Sequence, residues 1–393
     1  MYRKTYAKID GKVLEKNVKE IKNKYKDYNY YIGVVKNNAY GHGVRVVQNL
    51  IRGGINYLAV SSLEEALQIR KITLDIPILV LEPVDLEFID DVINNKITIT
   101  VESLDYLKDL NKIDLPYELK VHLKIDTGMN RLGLKTNKDI KDAINIISKN
   151  NKLFLEGLYS HFATSGVNDI YYDKQLETFK DLTKNIDLSV IPIVHLDRSL
   201  TLVTHEKISF VNGVRLGIVL FGFSGSRKSG TGLKSKLRNF KRNVYLKRHH
   251  ISKTILENDL KLNTAFSLYS NVMSIRKISK GEVVGYNASY KVKEDGFIAT
   301  IPIGYADGVT KDFGFVVIHN KKYPIVADTM DMIMVFVDKE VKVKDKVEIF
   351  GDTISIREVT SKLNTNVYHL FNQITTRVPR VHVEESDEVE IKY

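Results

Sequence analysis

The stretch Tyr31-Ile-Gly-Val-Val-Lys36-Asn-Asn-Ala-Tyr40-Gly-His-Gly43 begins as an apolar run and ends in a lysine and a glycine-flanked turn. The run 30–35 is typical of a buried strand, and Gly41 and Gly43 let the backbone after it turn or approach a ligand closely. Lys36 is therefore predicted at the carboxyl end of a strand. An amine held in partly apolar surroundings can form a Schiff base with a carbonyl compound, whereas an ordinary strand-end lysine points into water.

Seven more strand-like runs follow in the first half of the chain and alternate with amphipathic segments. The segment 61–70 is a typical connection, with serines at its start, acids in its first turn and apolar residues at helical spacing. Eight strands that alternate with helices predict an α/β fold, a (β/α)8 TIM-like barrel. The eight runs are 30–35, 57–60, 76–81, 97–101, 119–125, 154–159, 191–196 and 218–221.

Polar residues stand at the ends of five of these runs. In a parallel barrel all strands end at one mouth, where the chemistry gathers, so these side chains are expected to form one site. Lys36 follows the first run, Lys124 and Asp126 end the fifth, His161 follows the sixth, Asp197, Arg198 and Ser199 follow the seventh, and Arg215 and Gly217 lie at the eighth.

After about residue 225 the pattern changes to short strands with turn signals, which predicts a second, mostly β domain. We expect a barrel over 10–225, a basic linker or insertion over 226–257 and the β domain over 258–393, with residues 1–9 packed on the β domain. The strands predicted in the β domain are 271–278, 285–290, 297–303, 315–319, 344–350 and 388–392.

The composition is that of a globular protein, with 43% hydrophobic and 27% charged residues in a chain of 393, long enough for two domains. There is no cysteine, which excludes a disulfide framework and a Cys-ligated zinc site, and no metal site is predicted. The first residues lack the apolar core of a signal peptide, and no apolar run approaches the roughly 20 residues of a membrane span. We expect a cytoplasmic protein without a membrane span.

The net charge of +11 is concentrated in one segment, 225–250, which holds nine Lys or Arg and no acid and leaves only +2 for the rest of the chain. Two interpretations stay open for this segment: a solvated linker, or a region that binds a partner or an anionic surface. Phe240 and Tyr245 are too few aromatics among nine cations to indicate nucleic-acid binding.

Several different short motifs are distributed along nearly the whole chain. They read Val34-Val-Lys36-Asn-Asn-Ala-Tyr40-Gly-His-Gly43, Lys124-Ile-Asp-Thr-Gly-Met-Asn-Arg131-Leu-Gly133, His161-Phe-Ala-Thr164, Val214-Arg215-Leu-Gly217-Ile218, Gly285-Tyr286 and Ile301-Pro-Ile-Gly-Tyr305-Ala-Asp-Gly308. Tyr286 and Tyr305 lie 19 residues apart, and Tyr368 precedes Arg377-Val-Pro-Arg380. In order and spacing these motifs resemble those of the alanine racemase family, whose members combine an N-terminal barrel, a C-terminal β domain and pyridoxal phosphate bound to a lysine.

The resemblance implies two opposed catalytic bases. Lys36 would bind pyridoxal phosphate and, once displaced by an amino acid, act on one face of the substrate, while Tyr286 from the partner subunit of a homodimer would act on the other. Tyrosine has an ordinary pKa of about 10, so the phenolate needs stabilisation, and His161 and Arg215 are placed to give it. Arg215 would also donate to the pyridine nitrogen without readily giving up a proton. Without the resemblance, Tyr286 beside Gly285 would be read as a core aromatic.

The same resemblance implies further binding residues. The cofactor phosphate would be held by Tyr40, Ser199, the backbone at Gly217 and Ile218, and Tyr368. The substrate carboxylate would meet Arg131 and the backbone near Met330, and Tyr305 and Asp331 would line the route into the site. Lys124 matches a lysine that is carbamylated in many relatives, and whether it is modified here stays open.

The sequence departs from the motifs of the alanine racemase family at two places in the predicted site. Asp197-Arg198-Ser199 replaces the usual Ala-Asn-Ser and would put a charge pair beside the phosphate. The segment 327–331 is one residue shorter than usual, with Thr329 where a cysteine is common. Tyr368 favours alanine, since relatives that prefer serine tend to carry asparagine there.

The resulting prediction is a racemase that interconverts L- and D-alanine and supplies D-alanine for cell-wall peptidoglycan. The alternatives are a racemase of another small amino acid such as serine, a pyridoxal-dependent amino-acid decarboxylase, or a non-catalytic pyridoxal-binding protein. The decarboxylases normally place an acid at the pyridine nitrogen and use a cysteine, whereas this chain offers Arg215 and no cysteine. The binding proteins lack the second domain that carries Tyr286.

Overall fold

The structure is a computed structural model that describes residues 3–164, 170–224, 233–248, 259–384 and 387–390. It divides into two compact units: a barrel unit, Leu14–Ala39 and Val44–Asn263, and a β unit, Met1–Val13, Tyr40–Gly43 and Thr264–Tyr393. Residues 225–232 and 249–258 of the predicted basic segment and its flank lie outside the described residues, as do 391–392 of the last predicted strand.

The described strands and helices follow in chain order. The strands are β1 (Tyr6–Asp10), β2 (Tyr30–Val34), β3 (Tyr57–Val60), β4 (Ile78–Val80), β5 (Ile97–Val101), β6 (Leu119–Lys124), β7 (Leu153–Tyr159), β8 (Ile193–Arg198), β9 (Gly213–Leu216), β10 (Phe266–Asn271), β11 (Ser274–Ile278), β12 (Val283–Val284), β13 (Tyr290–Lys291), β14 (Gly296–Ile301), β15 (Phe315–Ile318), β16 (Lys321–Asp328), β17 (Ile333–Val337), β18 (Lys346–Phe350), β19 (Arg380–Glu384) and β20 (Asp387–Glu390). The helices are α1 (Gly11–Lys24), α2 (Val46–Gly53), α3 (Leu63–Arg70), α4 (Ile89–Asn94), α5 (Leu104–Leu110), α6 (Asn137–Lys149), α7 (Tyr171–Leu182), α8 (Ser199–Thr204), α9 (Leu233–Arg248), α10 (Ile356–Lys362) and α11 (Val367–Gln373).

Within the described part of the barrel unit, β2 to β9 close into a parallel barrel, so the predicted α/β barrel is confirmed. Strands such as β3 and β5 are buried on both faces, as expected where helices cover a parallel barrel. The register pairs Lys124 with Tyr159, and Arg215 with both Ile32 and Arg198. The carboxyl ends of the strands therefore meet at one mouth.

The eighth strand was predicted at 218–221, and this prediction is wrong. The strand is β9, and the chain after it turns, with Leu220 N donating to the carbonyl of Gly217. The segment 218–221 is apolar because it is buried as a turn, and a short buried run carries no periodicity that separates a turn from a strand. Arg215 interrupts the apolar pattern of β9, and for this reason the sequence pattern did not indicate that strand.

In the described part of the β unit, one sheet has the order β11-β14-β17-β16-β15-β18-β10-β1-β19-β20. β1 pairs antiparallel with β10 and parallel with β19. The predicted mostly β second domain is confirmed, but the strand predicted at 285–290 is wrong. Most of that segment is a 3-10 turn, Tyr286–Ala288, because Gly285, Asn287 and Ala288 have positive φ angles of 82°, 56° and 52°, and only Tyr290 belongs to a strand, β13.

The described residues contain no candidate membrane span and no candidate metal cluster. No helix there is both long and apolar enough to cross a membrane. No group of three or more His, Asp or Glu side chains in the same residues is arranged to hold a metal ion.

Candidate active site

Lys36 lies two residues beyond the end of β2 and is partly exposed. The four residues after it, from Asn37 to Tyr40, all have φ between 51° and 53°, so the backbone makes a left-handed turn. Left-handed backbone costs roughly 1–2 kcal/mol per residue for residues with a Cβ, and such strain concentrates at functional sites. The sequence predicted a turn from Gly41 and Gly43, but not that it begins four residues earlier.

Arg215 is buried on β9, and its guanidinium is held in one orientation by hydrogen bonds. Burial lowers the pKa of Arg215 to about 10, which leaves the side chain charged at neutral pH. It donates to His195 Nδ1 and to the carbonyl oxygens of His195 and Ser160 at 2.7 Å each, to that of Leu196 at 3.1 Å, and to His161 Nδ1 at 3.4 Å.

His161 lies at the mouth after β7 among several cations. Burial lowers the pKa of its imidazole to about 2, with help from the charges of Arg215, Arg198, Lys124 and Arg131. The ring is therefore neutral at physiological pH. Because Nδ1 accepts from Arg215, the proton of the neutral ring lies on Nε2.

Lys124 ends β6 and is buried, with Nζ 4.4 Å from the centre of the Tyr159 ring. Burial, together with the charges of Arg215 and Arg131, lowers the pKa of Lys124 to about 7 against the opposing effect of Asp126. Lys124 and His161 line a small cavity with the exposed Arg131. The other residues lining this cavity are Ile125, Asp126, Met129, Leu132 and Ser160.

Ser199 and Gly217 follow β8 and β9 and lie side by side. The N–H of Gly217 donates to Ser199 Oγ at 2.8 Å. Ile218, the next residue along the chain, is buried. The barrel thus brings a hydroxyl and a backbone amide together at the mouth, and both are groups that can bind a phosphate.

Asp197 and Arg198 were expected to form a charge pair, but their hydrogen bonds go to different residues. Asp197 is buried and accepts from Tyr28 Oη at 2.8 Å and from Thr201 Oγ1 at 3.2 Å, and burial raises the pKa of its carboxyl. Arg198 instead donates to the carbonyl of Thr164 at 2.7 Å. Successive side chains of a strand point to opposite faces, which sends the two neighbours to different elements.

Within the β unit, two groups of predicted residues come together. The rings of Tyr40 and Tyr368 lie 5.9 Å apart. Around the 3-10 turn Tyr305–Asp307, Tyr305 N donates to the carbonyl of Thr329 and Ala306 N to that of Met330. Asp331 accepts from Arg377 at 2.7 Å.

Tyr286 is 72% exposed, so the alternative of a core aromatic is wrong. The residue before it must be glycine for two reasons. Gly285 has a φ of 82°, and a Cβ added there would lie 2.6 Å from the Cβ of Ala327. The turn therefore holds Tyr286 outward on a backbone that few other sequences can adopt.

A line of buried polar residues that was not predicted from the sequence lies inside the barrel, and we name it the polar chain: Arg215, His195, His122 and Glu156. His195 Nε2 lies 3.0 Å from His122 Nδ1, and His122 Nε2 lies 3.2 Å from Glu156 Oε2. Two further groups donate hydrogen bonds to the Glu156 carboxylate: Tyr57 Oη at 2.6 Å and Lys120 Nζ at 2.8 Å.

A signal for part of the polar chain is present in the sequence. His122 and Lys124 alternate along one strand, which places both side chains on the same face. Gly157 on the next strand makes room, since a Cβ there would lie 2.5 Å from the His122 ring.

Comparisons with known proteins agree with these features. Residues 9–225 match the family described as "Alanine racemase, N-terminal domain", and residues 265–382 match "Alanine racemase, C-terminal domain". The chain is 33% identical to the alanine racemase of Halalkalibacterium halodurans, in an alignment covering 100% of this chain and 98% of that protein.

Solved structures give the same result. The alanine racemase of Clostridium difficile 630 is similar with a TM-score of 0.85 and 32% identity, covering 100% of this chain and 99% of that one. A histidine racemase from Leuconostoc mesenteroides subsp. sake has a TM-score of 0.83 and 27% identity, covering 98% and 99%. The chain therefore belongs to the alanine racemase family of isomerases.

Proposed function

We propose that this protein is a pyridoxal phosphate-dependent racemase that interconverts L- and D-alanine and supplies D-alanine for cell-wall peptidoglycan in the cytoplasm. The observation that carries the proposal is the barrel mouth, where Lys36 follows β2 and the neighbouring strand β9 holds a fixed, charged Arg215. Relatives at 33% identity over the whole chain are named alanine racemase, which supports alanine as the substrate.

The residues at the mouth fit pyridoxal phosphate. The Ser199 hydroxyl and the Gly217 amide lie 2.8 Å apart, close enough for both to contact one phosphate group. Together with the Ile218 amide and the hydroxyls of Tyr40 and Tyr368, they would bind the phosphate, and Lys36 would bind the aldehyde carbon. When bound, this cofactor withdraws electrons from the substrate and acidifies the α-proton.

Arg215 would donate a hydrogen bond to the pyridine nitrogen and leave it unprotonated. With a pKa lowered by burial only to about 10, the guanidinium does not give up a proton at neutral pH. The carbonyl oxygens of His195 in β8 and of Ser160, which follows β7, accept hydrogen bonds from the Arg215 guanidinium and fix its direction. The guanidinium therefore cannot turn away from the pyridine ring. An unprotonated ring is a weaker electron sink, which limits side reactions such as transamination and suits a racemase.

The proposal assigns the transferred proton to two positions, one on each face of the substrate. Lys36 Nζ would take or return the α-proton on one face, and Tyr286 Oη of the partner subunit would do so on the other. His161 is neutral with its proton on Nε2, so that N–H can donate to the tyrosine oxygen while it is ionised. Arg131 and the backbone near Met330 would hold the substrate carboxylate, and Tyr305 and Asp331 would line its route.

The test is to incubate the purified holoenzyme with L-alanine in deuterium oxide and to follow α-deuteration and optical rotation. We expect both to proceed with wild type and both to stop with Lys36→Ala. Tyr286→Phe should lose on the order of 10²–10⁴-fold in racemisation yet keep α-deuteration of one enantiomer, because Lys36 still serves one face.

Two results would contradict the proposal. Release of carbon dioxide would indicate a decarboxylase. Cofactor binding with no loss of the substrate α-proton would indicate a pyridoxal-binding protein without this activity. Arg276→Ala, at an exposed position of β11 in the β unit, is a matched control expected to behave as wild type.

Substrate choice is tested separately. Because Tyr368 occupies the position where serine-preferring relatives carry asparagine, we expect a higher kcat/KM for alanine than for serine. The similarity to a histidine racemase makes histidine the third substrate to measure. Tyr368→Asn should lower the alanine-to-serine ratio of kcat/KM, and a wild type that prefers serine or histidine would overturn alanine as the substrate.

A further inference from the structure

Helix α9 (Leu233–Arg248) carries a charge and an apolar surface that the proposed reaction does not use. Seven of its 16 residues are Lys or Arg and none is acidic. Leu237, Phe240 and Val244 are 59%, 66% and 50% exposed to solvent. Large apolar side chains exposed together commonly mark a binding surface.

Helical geometry puts these three side chains in one stripe. At 3.6 residues per turn, Leu237, Phe240 and Val244 lie within about 60° of one another around the helix axis. Leu246 lies on the opposite side and is buried. The helix therefore faces the protein with one side and presents the apolar stripe on the other.

Cations border this stripe on both sides. Lys241 and Arg248 follow it on one side and Lys247 on the other, and all three are exposed. Their long aliphatic stems can lie along apolar surface while the charged ends reach a polar layer. This is the arrangement of helices that lie in the plane of a membrane surface.

We propose that α9 binds the surface of membranes rich in anionic lipids. A bilayer interface satisfies both halves of the helix at once, because the acyl boundary takes the Leu, Phe and Val side chains and the lipid phosphates attract the cations. Nucleic acid offers the same anionic charge but no apolar layer for aliphatic side chains. The helix would bring the enzyme to the membrane surface without crossing it.

The test is flotation of the full-length holoenzyme with vesicles. One set contains phosphatidylglycerol and phosphatidylcholine in equal parts, and the other contains phosphatidylcholine alone. We expect binding to the anionic vesicles that weakens as salt is raised, and little binding to the neutral ones. Each basic residue near an anionic surface contributes roughly fivefold to partitioning, so Lys241→Glu with Lys247→Glu should weaken binding by more than about 25-fold.

The apolar stripe is tested by Leu237→Ser with Phe240→Ser, which should weaken binding at least about tenfold. Leu74→Ser with Val190→Ser removes two other exposed apolar side chains, each 74% exposed, and Lys138→Glu with Lys141→Glu reverses two exposed charges on α6. These controls should bind as wild type. Unchanged circular dichroism and racemisation by the α9 variants would show that they fold.

Several results would overturn the proposal. They are equal binding to both vesicle types, no binding to either, or unchanged binding by both α9 variants. Binding of a single-stranded RNA or of polyglutamate without vesicle binding would assign α9 to those ligands instead. Loss of dimers in the stripe variant without vesicle binding by wild type would assign the stripe to a second copy of the chain.

Discussion

The charge of Lys124 sets whether this side chain repels or attracts Arg131, which lines the same small cavity. As a cation Lys124 would repel the arginine, whereas as a carbamate it would attract and orient it. Burial and the neighbouring arginines lower the pKa of Lys124 to about 7, so about half of the amine is neutral at pH 7. Carbon dioxide reacts only with the neutral amine: Nζ attacks the carbon, an N–C bond forms, and one proton leaves to solvent.

We predict that Lys124 is carbamylated in bicarbonate buffer. Protein exchanged into ¹³C-bicarbonate should show a carbamate carbon signal that grows as pH rises from 6 to 8, since the neutral fraction of the amine rises through the pKa. Lys124→Arg keeps the positive charge but cannot react, so it should show no signal. A signal that is absent in wild type, or that persists in Lys124→Arg, would contradict the prediction.

At the scale of elements, the barrel strands hold the polar chain, and Glu156 at its end is the carboxylate that fixes His122. Burial works to raise the pKa of Glu156, but hydrogen bonds from His122, Lys120 and Tyr57 outweigh it and hold the pKa at about 2. A carboxyl whose folded pKa lies below the unfolded value of 4.5 stabilises the fold above that value. The stabilisation is lost as pH falls towards 2.

We therefore predict that Glu156→Gln lowers the free energy of unfolding by about 2 kcal/mol at pH 6. The difference from wild type should stay constant above about pH 5 and shrink below it, because the wild-type carboxylate then becomes protonated in the unfolded chain. Urea unfolding monitored by circular dichroism from pH 3.5 to 7 measures this. Glu118→Gln, at an exposed acid, is the control and should change stability by less than about 0.5 kcal/mol at any of these pH values. A pH-independent difference for Glu156→Gln would contradict the account.

Sequence patterns predicted most barrel strands because strands buried on both faces read as continuous apolar runs. They failed at β9, where Arg215 breaks the run, and at the Tyr286 turn, where positive φ angles rather than hydrophobicity decide the conformation. Lys36, His161 and Ser199 could be placed at the mouth because parallel strands end together. The contact of His122 with His195 could not be predicted, because the two residues lie 73 positions apart in the chain and meet only when the barrel closes.

At the scale of the whole molecule, the proposed mechanism needs two chains, since Lys36 and Tyr286 would act from different subunits. We predict that inactive Lys36→Ala and Tyr286→Phe proteins regain activity when they are unfolded, mixed in equal amounts and refolded. Random pairing makes half of the dimers mixed, and each mixed dimer has one intact site of two, so the mixture should reach about a quarter of wild-type activity. Each variant refolded alone should stay inactive. Failure of the mixture to recover, with normal dimers formed, would contradict shared sites.

The position of β1 in the sheet has a consequence for synthesis on the ribosome. β1 precedes the barrel strands in the chain, yet its partners β10 and β19 begin at Phe266 and Arg380. The barrel strands β2 to β9 are complete by Leu216, so the barrel can close while β1 still waits for both neighbours. A nascent chain halted after the barrel would expose β1 as an unpaired strand edge, the kind of surface that chaperones cover and that otherwise seeds aggregation.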